Sequence, residues 1–394
     1  MSTTNFGSLF QFIRNGMNVR QDKSGNGLPI TRIETIADAV VNPSSVGYAN
    51  LTESVCKDWL MEPGDLLFSH INSVEHIGKC AIYRGKPDKL VHGMNLLCLR
   101  CDNAKLLPEF AKYLIRGPDF RSRLSNFINK AVNQASVSIG NLKTIAVSVP
   151  PLAEQLRIAE VLDRAEALRA QRRAALAELD TLARSIFLNL FGDPTTNPKG
   201  WPTKSLASLV RNDDTINYGV VQPGDNVEDG VPLVRVGDLV DGRVNHELLK
   251  RIAPSIEASY KRSRLRGDEI LVSCVGSAGV VALADKSVRG FNVARAVARI
   301  PLAETTDRVF MAAYLETDFI QRYFTNELRT VSQPTLNIKQ ISETRVMVPS
   351  LDLQRDFARR VGGVEKLKAA HRASLAEMNT LFASLQHRAF RGEL

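Results

Sequence analysis

The stretch LAEQLRIAEVLDRAEALRAQRRAALAELDTLARSIFLNL, residues 152–190, decides how this chain folds. It contains no Gly or Pro, is crowded with Ala, Leu, Glu and Arg, and runs into Phe191-Gly192-Asp193-Pro194, a helix stop. One long helix over 152–191 is predicted. Its apolar residues Ile158, Leu162, Ala165, Leu168, Ala175, Leu179, Leu182, Ile186 and Leu190 fall mostly three and four apart, the spacing of a coiled-coil seam. The seam returns 199 residues later as Phe357, Val361, Val364, Leu367, Ser374, Met378, Leu381, Leu385 and Ala389. Two helices with matching seams in one chain most economically bury them against each other. Each Gly of Gly362-Gly363 costs about 1 kcal/mol relative to Ala, so a bend or a late start is expected in the second helix. Arg172 and His371 interrupt the seams at equivalent places, positions suited to a register-setting polar contact.

Outward from the helices the whole chain repeats itself. Gly27-Leu28-Pro29 with Arg32-Ile33 returns as Gly230-Val231-Pro232 with Arg235-Val236, 203 residues on. Pro63-Gly64-Asp65-Leu66-Leu67 returns as Arg266-Gly267-Asp268-Glu269-Ile270-Leu271, which pairs Asp65 with Asp268. From Asn133 onward the offset is 199, so that Val149-Pro150 faces Val348-Pro349 and Gln155 faces Gln354. Short β-rich runs alternate with Gly, Pro and Asn turns before each helix. The reading is two tandem α/β (α+β) domains, 1–151 and 192–350, separated by long helices, 152–191 and 351–394, that pack as an antiparallel coiled coil with an internal pseudo-twofold repeat.

Composition bounds the function. An apolar fraction of 44% with 24% charged residues is the ordinary globular mixture, which excludes wholesale disorder. No apolar run is long enough to suggest a membrane span, and the first residues lack a signal-peptide pattern. Five cysteines, an odd number gathered mostly in the first half, do not form a secreted disulfide framework, so a reducing, cytoplasmic setting is expected. The net charge of +9 suggests an acidic partner. It is uneven: 17 basic against 12 acidic residues in 1–151, six against six in 152–191, 20 against 19 in 192–350 and eight against five in 351–394. Phosphate contacts in the second domain would therefore come from local clusters such as Lys261, Arg262, Arg264 and Arg266. Catalytic signatures are missing: no GxxxxGK[ST], HExxH or GxSxG occurs, nor an Asn-Pro-Pro-aromatic loop. Cys98-Leu99-Arg100-Cys101 has His70, His76 and His92 nearby but no second ligand pair at finger-like spacing.

A binding protein with two similar readers has a particular meaning if its partner is double-stranded DNA. Antiparallel connecting helices would invert one domain relative to the other, matching the local twofold symmetry of the duplex. A helix of about 39 residues at ~1.5 Å per residue is ~58 Å long. That exceeds one DNA turn of ~34 Å. Because the domains differ in sequence, the half-sites should differ.

These features together resemble the specificity subunit of type I restriction-modification systems over the full chain. The motifs that carry the resemblance are Gly267-Asp268-Glu269-Ile270-Leu271 with Gly276-Ser277-Ala278-Gly279; Gln333-Pro334-Thr335-Leu336-Asn337-Ile338 with Val348-Pro349; Pro150-Pro151-Leu152-Ala153-Glu154-Gln155; and Phe191-Gly192-Asp193-Pro194 with Asn197-Pro198-Lys199-Gly200-Trp201. The resemblance implies two target-recognition domains that read an asymmetric bipartite DNA site, no catalysis and no cofactor in this chain. It also implies two methylation subunits and restriction subunits as partners, no membrane, and S-adenosylmethionine, ATP and Mg on those partners. A non-catalytic coiled-coil scaffold with duplicated protein-binding domains is the competing reading.

Hydroxyl and amide groups suit both phosphate and base-edge bonding. In the loops after the Gly-Asp strands these are Ser69, His70, Asn72 and Ser73 in the first domain and Ser273 and Ser277 in the second. Before the long helices, Lys130, Asn133, Gln134 and Ser136 correspond to Arg329, Ser332, Gln333 and Thr335. Gln134 and Gln333 could each pair bidentately with adenine. Arg121, Arg123, Arg262 and Arg264 complete the set as phosphate contacts.

Overall fold

The computed structural model describes residues 2–23, 25–37, 39–131, 134–328 and 335–394. Packing divides the chain into two compact units, Met1–Ala174 with Arg372–Leu394, and Ala175–His371. Each unit thus takes one globular domain and part of both long helices.

In the first unit an antiparallel sheet runs in the order Phe10–Asn15, Leu96–Cys101, Leu66–Ser69, Cys80–Ile82. Its central strands are apolar on both faces because both faces are covered. Leu66, Phe68, Leu97 and Leu99 pack with Phe110, Tyr113 and Phe120 of the helices Pro108–Arg116 and Pro118–Ser125. Leu67, Ala81, Leu96 and Cys98 face a smaller cluster with Ile36, Val46 and Met61. Cys98 and Cys101 therefore belong to opposite faces of the sheet. All five cysteines are free and buried, and burial pushes the Cys80 thiol up to about 12.

The second unit repeats this order and extends it: Asn217–Tyr218, Val297–Ile300, Ile270–Ser273, Val281–Leu283, Arg243–Val244, Leu239–Val240. Its main core gathers Ile270, Val272, Ala298, Ile300, Phe310 and Tyr314. In both units the strand entering the domain pairs with the strand leaving it, Ser2–Asn5 with Ala146–Val149 and Thr203–Ser205 with Arg345–Met347.

One sequence match shifts by a residue. The Asp65 carboxylate accepts from the Glu62 N–H at 2.8 Å and takes both the Nε and Nη2 of Arg100 at 2.8 Å. The residue in that role in the second unit is Glu269, not Asp268: it accepts from the N–H groups of Arg266, Gly267 and Asp268 at 2.8, 2.9 and 3.1 Å and lies 3.6 Å from Arg299. Asp268 faces outward and pairs with Arg211 at 2.6 Å. The strand register aligns Leu66 with Ile270, and the buried acid is the residue before each.

The long helices span Leu152–Phe191 and Leu351–Arg391. In each unit they run antiparallel. In the first, Arg157 reaches Leu394 and Arg169 reaches Asn379; in the second, Asp180 reaches Lys368 and Phe191 packs on Phe357. A stricter heptad than the one read from sequence runs through buried and half-buried positions: 158, 162, 165, 169, 172, 176, 179, 183, 186 and 190, and the same positions 199 residues on. Leu168, Leu182, Leu367 and Leu381 are exposed, and Arg169, Ala183, Lys368 and Phe382 take their places. The second helix starts at Leu351 and continues through Gly362-Gly363, which corrects the late start. A Cβ at either glycine would meet nothing within 4 Å, and Phe357, Val361 and Val364 hold that turn to the core.

The cations admitted to the seam are matched. Arg169 bonds Glu166 at 2.7 Å and Asn379 at 2.8 Å and lies 4.4 Å over the Phe382 ring. Lys368 bonds Glu365 at 2.6 Å and Asp180 at 2.8 Å. Both clusters sit three residues before the positions that sequence marked, Arg172 and His371.

Both helix ends are tied down. Gln155, fully buried, accepts from the Leu107 N–H at 2.9 Å and donates to the carbonyls of Lys105 and Pro150 at 2.8 and 2.9 Å. Gln354 repeats the clamp with the Asp307 N–H at 2.9 Å and the Pro349 carbonyl at 2.8 Å. At the far end of the first helix Gly192 adopts φ +83°, and Lys199 and Trp201 donate to the carbonyls of Asn189, Leu190 and Phe191. This is a C-cap with a cation on the negative end of the helix dipole. Replacing Gln155 by Leu leaves one backbone donor and two carbonyls buried and unpaired. The expected loss is about 2–4 kcal/mol, read as a lowered urea midpoint, with Gln354→Leu acting likewise on the second unit.

Candidate nucleic-acid interface

In the first unit, two segments that sequence singled out separately are hydrogen-bonded neighbours. Ile71–Asn72, Gln134–Ser136 and Asn129–Ala131 form a three-stranded antiparallel sheet in the order Ile71–Asn72, Gln134–Ser136, Asn129–Ala131. Ala135 stands between Asn72 and Lys130, and Ser136 stands between Ile71 and Asn129. The Val137 N–H closes the arrangement on the His70 carbonyl at 2.9 Å. The second unit makes the equivalent closure, Leu336 N–H to the Cys274 carbonyl at 2.8 Å, and Thr335 bridges to Val275. Asn133, Arg329, Ser332 and Gln333 lie outside the described residues.

The remaining candidates separate by exposure. Lys130, Gln134, Ser73 and Ser277 are exposed, and Asn72, Ser136 and Thr335 are half-buried. Ser69 and Ser273 are buried and serve the loop itself: Ser69 accepts from the Asn72 amide at 3.2 Å, and Ser273 accepts from the Val280 N–H at 2.8 Å. The second loop needs its glycines. At Gly279, φ is +91° and a Cβ would stand 2.7 Å from the Gln321 side-chain oxygen, whereas the first unit uses Phe68-Ser69-His70-Ile71-Asn72-Ser73 at this place. Arg121 donates to the carbonyls of Glu75 and Ile77 at 3.4 and 3.3 Å, and Arg123 donates to the Ala146 carbonyl. Of the second domain's basic run, Arg264 is held bidentately by Glu257 at 2.7 and 2.6 Å, and Arg266 meets Asp213 at 3.2 Å. Lys261 and Arg262 are exposed. Asn129, which nothing in the sequence marked, occupies the outer strand of the first sheet and is exposed. Only the strand pairing reveals it.

His70 is the one ionisable group of this set whose burial changes its chemistry. Its ring is buried, its Nδ1 has no hydrogen-bond partner, and burial pushes its pKa down to about 4. His92, by contrast, has both ring nitrogens 3.0 Å from carbonyls, those of Trp59 and Asn15. Among the described residues no group of three or more His, Cys, Asp or Glu could hold a metal ion.

Two domains of one topology, each presenting a loop paired with the segment that leads into a long helix, define a duplicated recognition module. The model of the type I restriction modification DNA specificity domain matches residues 3–178 and again 198–377, and the chain belongs to that family. The putative type I restriction enzyme MjaX specificity subunit of Methanocaldococcus jannaschii is 34% identical over 54% of this chain and 50% of its own length. The type I restriction enzyme EcoBI specificity subunit of Escherichia coli is 31% identical over 68% of this chain and 62% of its own. The chain thus spans half, and somewhat under two thirds, of these two relatives. A type I restriction-modification S subunit from M. genitalium shares the fold, with a TM-score of 0.58 at 15% identity over 99% of this chain and 96% of the other.

The depressed pKa of His70 carries a pH dependence. The folded state holds the ring neutral, while the unfolded chain takes up a proton below about 6.5. Stability contributed by the neutral ring is complete above that value and is lost as pH falls toward about 4. The thermal midpoint of the first unit should drop over this window, and His70→Gln should flatten that part of the profile.

Proposed function

We propose that this chain is the DNA-reading subunit of a type I restriction-modification assembly. It recognises an asymmetric bipartite site in double-stranded DNA, one half-site per domain, and positions two methylation subunits and the restriction subunits on it. It performs no catalysis; S-adenosylmethionine, ATP and Mg act on the partner subunits. The observation that supports this reading most is the duplicated loop closure, Val137 to His70 and Leu336 to Cys274, built on one backbone plan with different side chains around it. A common frame with divergent loops is what reading two different sequences requires. Among the described residues no helix is long and apolar enough to cross a membrane.

Co-expression with a candidate methylation subunit, followed by genome-wide mapping of methylated adenines, tests the reading. The expected result is a bipartite motif with unlike halves. DNA affinity of the complex should fall by orders of magnitude between about 50 and 200 mM salt, because several phosphates are neutralised. A continuous motif, absent methylation, or salt-independent affinity would overturn it, the last in favour of a protein-binding scaffold.

A further inference from the structure

The three-stranded sheet of the first unit has two unlike faces, and its register sorts the residues between them. Ala135 is 2% exposed and belongs to the main core, so the face it shares with Lys130 and Asn72 is the inner one. Side chains alternate along a strand. The outer face therefore carries Asn129, Ala131, Gln134, Ser136 and Ile71. Asn129, Ala131 and Gln134 are exposed, and Ser136 and Ile71 are half-buried. No outer-face residue is charged. The cation, Lys130, projects on the inner side from the outermost strand, at the rim beyond the core.

We infer that this outer face is the base-reading surface of the first domain, a β-ribbon that enters the major groove, and that Asn129 is a specificity-determining residue beside Gln134. The inference rests on the DNA-reading function proposed above. A two-stranded ribbon fits the major groove, where amide side chains pair bidentately with adenine and small apolar groups meet the thymine methyl. The outer face offers both kinds of group in two rows: Gln134 opposite Ala131, then Ser136 between Asn129 and Ile71. Rows two residues apart are separated by ~7 Å along the strand. That is about two base-pair steps at ~3.4 Å each. The two amides thus address positions about two base pairs apart in one half-site. Lys130, on the other side of the ribbon, is placed for a phosphate.

The test uses the full chain assembled with its methylation subunit, with methylated adenines mapped for Asn129→Ala, Gln134→Ala, Gln134→Glu and Lys130→Ala. Each alanine change at an amide should relax base preference at one position of one half-site by about 5- to 150-fold, leaving the other half-site intact. Gln134→Glu should move its position from adenine toward cytosine, whose amino group a carboxylate accepts, a change that damage to the fold cannot produce. Lys130→Ala should weaken methylation of all sites alike and lower the salt slope by about one. Unchanged base preferences in active amide variants, or losses uniform across sequences, would overturn the assignment while leaving the DNA-reading function standing. A wild-type complex that yields no bipartite methylation would instead overturn both.

Discussion

A helix of forty residues with a single apolar stripe draws most of its stability in water from what covers the stripe. In this chain each unit covers its share with the same construction: antiparallel segments of both long helices fused to a domain core. Ile158 and Leu162 lie with Phe382 and Ala389 against Phe110 and Tyr113 in one unit. Phe187 and Phe191 lie with Phe357 against Phe310 and Tyr314 in the other. Each of the large apolar side chains among them contributes about 1.5–3 kcal/mol by burial, so neither unit's core is complete without both helices. Apolar burial alone would tolerate a slip of one heptad. The Arg169 and Lys368 clusters do not, because a slipped register would carry these half-buried cations away from their partners on the opposing helix, Asn379 and Asp180.

The duplication kept what sets geometry and let go of what sets chemistry. Gln155 and Gln354 make the same buried clamp, and the buried acid before the central strand persists as Asp65 in one copy and Glu269 in the other. These groups satisfy backbone N–H and C=O groups that have no access to water, and any loss leaves them unpaired. Around the loops the copies diverge: a hydroxyl, imidazole and amide run in the first, a glycine-framed loop in the second, and two extra strands on the second sheet. Loops on a rigid frame can change side chains without changing the frame.

Much of the fold was legible one-dimensionally. The run from Leu152 to Phe191 reads as helix because no residue in it resists helix, and Phe191-Gly192 ends it by supplying the left-handed C-cap. The repeat announced two domains of one topology. The candidate interface was legible in part: the loop at 69–73 and the segment at 130–136 each had suitable chemistry, but that they pair strand to strand is a long-range contact that local pattern does not encode. Asn129 was invisible for this reason, and Arg264 looked available because Glu257, seven residues earlier, gave no sign of reaching it.

Sequence by itself determined the duplicated plan, the span of the first long helix and the residue types at the loops, because periodicity, caps and repeats are properties of neighbours along the chain. The tertiary structure alone decided which side of each helix is the seam and which side of the short sheet faces outward. Choosing Arg169 over Leu168, or Lys368 over Leu367, turns on a rotation of one residue, about 100° at 3.6 residues per turn. An apolar count cannot resolve that rotation; the shape of the opposing surface, with Asn379 placed to receive Arg169 and Asp180 to receive Lys368, does. Likewise Asn129 and Gln134 became a single surface only when Ala135 was drawn into the core and turned its neighbours out.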